Sequence, residues 1–194
     1  SKVDEIVQMI KDAMWEITAV ISGFLLAIGT ILVVTGANIP LGLGLMAVGA
    51  VGLAASVMAN WNGMSERLAK VLTLVTGVLG GFLLAIGAFL VFSGVNVPLG
   101  AGLMVAGAAA LGTSAVINWK FLNGDLSNAL SILTAIVSGA LLAMGALFAF
   151  TGVDVPLGIA LMAAGAVGMV TAIGLNWDSM SDPLRRTIGM LETI

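Results

Sequence analysis

The chain has 194 residues, of which 60% are hydrophobic and a further 26 are glycine; only 9% are charged, against about 25% in an ordinary soluble domain, too little polar surface to cover a water-soluble globule. Cys and His are absent, which excludes disulfides, thiolate chemistry, the commonest metal ligand and the commonest general base. A net charge of −3 without any basic run gives no footprint for nucleic acid.

The chain opens S-K-V-D-E-I-V, with neither Met nor a signal-peptide pattern; a piece of a longer protein is expected, with Ser1 a tag remnant. Val3, Ile6, Val7, Ile10, Met14 and Ile17 follow the three–four spacing of a helix. Residues 1–16 are therefore expected to form an amphipathic helix. It either lies at a membrane interface or belongs to a coiled-coil rod that continues outward.

From Ile17 the sequence repeats at a fixed interval of 58 residues, so the blocks are 17–74, 75–132 and 133–178. Each block begins with an uncharged apolar stretch, Ile17–Thr35, Val75–Ser93 or Leu133–Thr151. At about 1.5 Å per residue such a stretch reaches the roughly 30 Å of a hydrocarbon core. Its length and its Leu, Ala and Met content favour helix over buried strand.

A corner follows, reading T-G-A-N-I-P-L-G, S-G-V-N-V-P-L-G and T-G-V-D-V-P-L-G. Gly36, Gly94 and Gly152 stand where a helix ends on a left-handed residue. Asn38, Asn96 and Asp154 are placed to hydrogen-bond local backbone. Pro40, Pro98 and Pro156 suit the first turn of the next helix, and Ile39, Val97 and Val155, preceding Pro, are expected to be extended. A short self-satisfying corner suits lipid, where every backbone polar group needs a partner. Asp154 reads as a conservative exchange for Asn, with an ion site as the sharper alternative.

The return stretches, Leu41–Ala59, Leu99–Ile117 and Leu157–Leu175, carry small residues at four-residue spacing, as in Gly44, Val48, Gly52 and Ser56. The outgoing stretches carry the pairs Gly23/Ala27, Gly81/Ala85 and Gly139/Ala143. Small-xxx-small stripes let helices approach closely in lipid, so these pairs are expected to close each block into a tight hairpin. Met46, Met104 and Met162 share one repeat column and read as packing. Each block ends in Asn-Trp and a polar link. Trp61, Trp119 and Trp177, with Trp15 before the first stretch, are placed as interfacial anchors. Residues 179–194, with Leu184, Ile188, Leu191 and Ile194, are expected to form a second amphipathic helix.

The expected fold is an all-α membrane protein of six transmembrane helices in three tandem hairpins. All seven Lys and Arg and every acid except Asp154 fall on the Trp side. The positive-inside rule puts that side, with both termini, nominally in the cytoplasm. No catalytic constellation, cofactor motif or metal-ligand set is present, so the chain is not expected to be an enzyme. No ionisable residue lies mid-span, which argues against a proton-coupled pump. Thr18, Thr76 and Thr134 share a column and are expected to bond back to their own helices, with a polar pore lining as the alternative.

The phrase G-V-N-V-P-L-G-x-x-L-M-x-x-G followed by small residues and N-W, over Gly36–Trp61, Gly94–Trp119 and Gly152–Trp177, resembles the hydrophobic repeats of phage and prophage tail tape measure proteins. Together with the preceding G-x-L-L-A segments the resemblance covers about residues 17–178. It implies an extended helical protein in the lumen of the virion tail tube, ejected ahead of the passing DNA. Its apolar segment would enter the host inner membrane, with the lipid bilayer and further copies of itself as partners and no specific nucleic-acid sequence. Two other readings of the residues remain open: a free-standing multispan protein such as a holin or small passive channel, and a purely structural anchor.

Overall fold

The computed structural model describes residues 1–123, 126–175, 189 and 191–193. Six helices follow one another: α1 (Lys2–Thr35), α2 (Ile39–Ala59), α3 (Glu66–Phe92), α4 (Val97–Phe121), α5 (Leu126–Thr151) and α6 (Val155–Leu175). No strand occurs among the described residues. Every helix is long and apolar enough to cross a membrane. The shortest, α2 and α6 with 21 residues each, extend about 32 Å.

The helix starts follow local chemistry. The Ser1 side chain accepts from Asp4 N–H at the start of α1, and that of Ser65 accepts from Leu68 N–H at the start of α3, each satisfying one of the donors a helix N-terminus leaves open. α1 runs through the expected boundary at residue 16 without a break. Its 34 residues make one rod about 51 Å long. α4 likewise continues past Asn118-Trp119 to Phe121, whereas α2 stops at Ala59 before the corresponding pair.

Each odd helix packs along the even helix that follows it, and α3 also packs against α5 and α1. α3 is the centre. Sixteen of its 27 residues are buried, against three in α2. The odd helices run in the same direction. At one end Arg67 on α3 meets Glu16 on α1 at 2.9 Å; at the other, Phe89 on α3 meets Phe148 on α5 edge-on, with ring centroids 6.4 Å apart. The three corners therefore share one end of the bundle and the polar links share the other. Leu68, Leu72, Ile117 and Leu122 fill the core at the link end, while Phe82, Ile86, Leu90, Leu103 and Leu147 fill it at the corner end. Lys2 Nζ donates to Thr193 Oγ1 at 3.3 Å, so these two near-terminal residues meet at the link end. The expected C-terminal helix over 179–194 lies outside the described residues apart from Gly189 and Leu191–Thr193.

Candidate functional site: corners and helix seams

The three corners have one construction. Gly36, Gly94 and Gly152 adopt φ of 71°, 71° and 75°, the left-handed region that a Cβ disfavours. The N–H groups of Gly36 and Gly94 reach back to Val33 O and Val91 O, both at 3.2 Å. Asn38 Oδ1 accepts from Leu41 N–H, Asn96 Oδ1 from Leu99 N–H and Asp154 Oδ1 from Leu157 N–H, all at 3.1 Å. The same three residues also accept at their carbonyls from the N–H groups of Gly42, Gly100 and Gly158. Pro40 and Pro98 sit within the first two positions of their helices, and Pro156 directly follows Val155, where α6 begins. Proline brings no N–H, so the corner has one orphan donor fewer.

One expectation is corrected here. Ile39, Val97 and Val155 are the first helical residues, not extended ones. The non-helical residues that lead into the helices are Asn38 (φ −158°, ψ 87°) and Asn96 (φ −154°, ψ 85°). The capping bond fixes the backbone one position earlier than the proline bias alone suggested.

The glycine stripes divide their work differently from the sequence expectation. Within each pair the close approach is made by Gly29 on Gly42, Gly87 on Gly100 and Gly145 on Gly158. A methyl group at the first of each would lie 2.6 Å from the facing glycine's carbonyl oxygen. One or two turns further along, Gly49 and Gly165 press on the carbonyls of Ser22 and Ser138, and Gly107 on that of Gly80. Met46, Met104 and Met162 lie against Gly29, Gly87 and Gly145, as packing residues.

The return-helix column is thus seven-spaced: Gly42, Gly49 and Ser56; Gly100, Gly107 and Ser114; Gly158, Gly165 and Ala172, all buried. The four-spaced column packs only at its link end: Gly44 and Gly102 have nothing within 4 Å of a methyl placed there, whereas Gly52 and Gly168 face the side chains of Ser22 and Ser138.

Gly23, Gly81 and Gly139 do not close their own hairpins. Gly81 abuts the Ile136 carbonyl and Gly139 abuts the Val78 carbonyl, so both serve the contact between α3 and α5. Val78 and Ile136 occupy one repeat column and Gly81 and Gly139 another, so the two parallel helices meet in a reciprocal, two-fold-like way. Gly23 faces Val75 and Leu79 of α3, through side chains only. Ala143 is buried, while Ala27 and Ala85 are half-buried against the corner-end core.

At the link end, Trp15 and Trp61 pack on the core. Trp61 meets Phe121 edge-on at 5.8 Å, and Lys120 Nζ lies 4.1 Å above its ring while donating to Trp61 O at 3.2 Å. Trp119 is 79% exposed. Trp177 lies outside the described residues. Lys70 pairs with Glu66 at 3.2 Å, so the described Lys and Arg cluster away from the corners.

Thr18 Oγ1 donates to Met14 O at 2.8 Å and Thr76 Oγ1 to Leu72 O at 2.7 Å. Thr76 is buried, so it lines no opening in one copy; Thr134 accepts at its carbonyl from Ser138 Oγ at 2.6 Å. A groove of about 340 Å³ runs between α1, α3, α5 and α6, bounded by Val20, Phe24, Val75, Leu79, Phe82 and Ile173 among others, with no polar side chain in its lining. No cluster of acidic residues able to hold a metal occurs among the described residues.

Compared with protein families, with characterised proteins and with solved structures, the chain matches none. The six apolar helices are compatible with an integral membrane protein.

Proposed function

We propose that the chain is a membrane-inserting, channel-forming segment of a phage tail tape measure protein, carried in the tail lumen and delivered to the host inner membrane to help DNA cross it. The helices would span the bilayer as three tandem hairpins with amphipathic ends on one side. The observation that carries this is the unlikeness of the two ends. The corners hold one charge, Asp154, and satisfy their backbone from within, whereas every Lys and Arg lies at the other end of the sequence pattern. Insertion from the link side would move only three compact corners through lipid. A carboxylate at mid-bilayer opposes that passage by about 2.5–3.5 kcal/mol on insertion scales, and only in transit.

A pure anchor is the second reading, favoured by the buried Thr76 and by the wholly apolar groove, which give a single copy no polar path. Conduction therefore needs several copies.

Adding the purified chain to one side of vesicles loaded with dyes of graded size separates the two. Release with a size cutoff supports the channel; stable insertion without any leak, at every protein-to-lipid ratio, leaves the anchor. Cysteines introduced at Ala37 and Asn62 should label from opposite faces of a sealed vesicle. Same-side labelling would end the hairpin topology.

A further inference from the structure

The two junctions between blocks are built differently. α3 and α5 meet through Gly81 and Gly139, each against backbone of the other helix, whereas Gly23 of α1 reaches α3 through side chains. What α1 adds at its junction is a pair of charges. Arg67 Nε lies 2.9 Å from Glu16 Oε2. Glu16 occupies the repeat column that holds Leu74 in the second block and Ile132 in the third. A carboxylate therefore stands where the other blocks place hydrocarbon.

That carboxylate is poorly served. Glu16 is 7% exposed, and its Oε1 has no hydrogen-bond partner among the described residues. The contact with Arg67 is charge to charge, since Arg67 Nε makes no aligned hydrogen bond. Asp12, one turn back on α1, sets a like charge beside it. α2 carries no ionisable side chain, and on α3 Lys70 is paired with Glu66. A buried charged oxygen without a partner is costly. The Arg67 side chain, by contrast, is partly open to water.

We infer that Glu16 is a proton-operated latch: proton uptake at its carboxylate seats the first hairpin on α3, and loss of that proton loosens the seat. The hairpin moves as a unit, because α1 and α2 meet backbone to backbone where Gly29 faces Gly42 and Gly49 faces Ser22.

The direction follows from the larger of two opposed influences. Glu16 stands just before the uncharged stretch that begins at Ile17, at the link end. Burial pushes its carboxyl above the usual range by more than the Arg67 guanidinium pulls it down, and Asp12 pushes it further up. A carboxyl so raised binds its proton more tightly when docked than when free. Its contribution to docking is fully present below the ordinary glutamate value and is lost as pH rises through the raised one. A simple salt bridge behaves the other way and fails in acid. The latch concerns packing between hairpins and stands apart from conduction, so dye release neither carries it nor removes it.

The chain has no native Cys, so Val7→Cys on α1 and Trp119→Cys on α4 take spin labels without background. Double electron–electron resonance on the whole chain in lipid vesicles then follows their separation from acid to mildly alkaline pH. One narrow distance should dominate in acid, and a broader set should grow as pH rises. For a single proton the ratio of the two changes by up to about tenfold per pH unit. Glu16→Gln should hold the acid distribution at every pH. Arg67→Gln should move the midpoint up and Asp12→Asn should move it down, shifts that a purely structural contact does not produce. These two shifts decide the matter by themselves if Glu16→Gln does not insert.

A distribution that ignores pH, a midpoint that persists in Glu16→Gln, or loosening in acid would each overturn the latch. Loosening of Arg67→Gln even in acid would overturn it too, since the ion pair and not the proton would then be the fastening.

Discussion

The heptapeptide G-F-L-L-A-I-G occurs twice, as residues 23–29 of α1 and 81–87 of α3, and meets two environments. Phe82 and Ile86 are 5% and 1% exposed, whereas Phe24 and Ile28 are 62% and 46% exposed. Gly81 touches backbone of α5, while Gly23 touches only side chains of α3. Identical residues with identical helix propensity become core in one place and surface in the other. What differs is how much of each helix its neighbours cover: α3 packs broadly against both α4 and α5 and also touches α1, whereas α1 packs broadly only against α2. Helix formation here is local, and burial is a property of position in the array.

The sharpest way to break the comparison is to shorten both phenylalanines. Phe82→Ala should leave a cavity and destabilise the bundle by about 3 kcal/mol, the lower end for buried Phe because lipid removes part of the transfer term. Phe24→Ala should be near neutral in a dilute, monomeric sample. Unfolding in mixed detergent micelles reads both, and equal losses would show that the two environments are alike.

A second pair probes the glycines. Gly81→Ala drives a methyl into the Ile136 carbonyl, which belongs to a helix backbone and cannot move alone. A loss of about 2 kcal/mol is expected, within the usual range for overpacking. Gly23→Ala meets Val75 Cγ1 at 3.0 Å, the end of a side chain that can shift, so its loss should be smaller. The same titration checks it, and a greater loss at Gly23 would reverse the assignment.

The smallest expected effect lies at the corners, where the repeats are alike. Asn38→Ala and Asn96→Ala each remove one capping acceptor and should each cost about 1 kcal/mol. Amide exchange at Leu41 and Leu99 should rise together, and a rise at one corner alone would mean that the corners are not equivalent.

These contrasts also mark how far the sequence could be read. Six helices and the corner chemistry were legible, because Gly at a left-handed end and Asn or Asp as a cap are local requirements. The faces were not. Each return helix carries small residues at both four- and seven-residue spacing, and composition cannot choose between them. Near the corners the choice falls to the seven-spaced column because Gly29, Gly87 and Gly145 face it across the pair, while toward the links Gly52 and Gly168 of the four-spaced column also meet the facing helix. The Gly23, Gly81 and Gly139 column was recognisable as packing, yet whether it met its own hairpin or the next one depends on how the pairs are stacked. The exposed side of α1 was legible from Val3 to Ile17 by its three–four spacing, but not at Ile21, Phe24 and Ile28, which lie in an apolar stretch where every position looks equally hydrophobic.

The stacking of α1, α3 and α5 has a consequence for how such a chain changes length. The middle block packs on both of the others, which touch each other only weakly through α1 and α5, and its corner lies within its own 58 residues. A block of this kind behaves as one unit of a linear array whose stability is a sum of unit and nearest-neighbour terms. Removing residues 75–132 would leave the remaining blocks in phase, with the slight existing contact between α1 and α5 free to widen. Inserting another block would create a second interior helix without disturbing either end. The molecule is in that sense modular along one axis, and the count of blocks is free to drift where the construction of each is not.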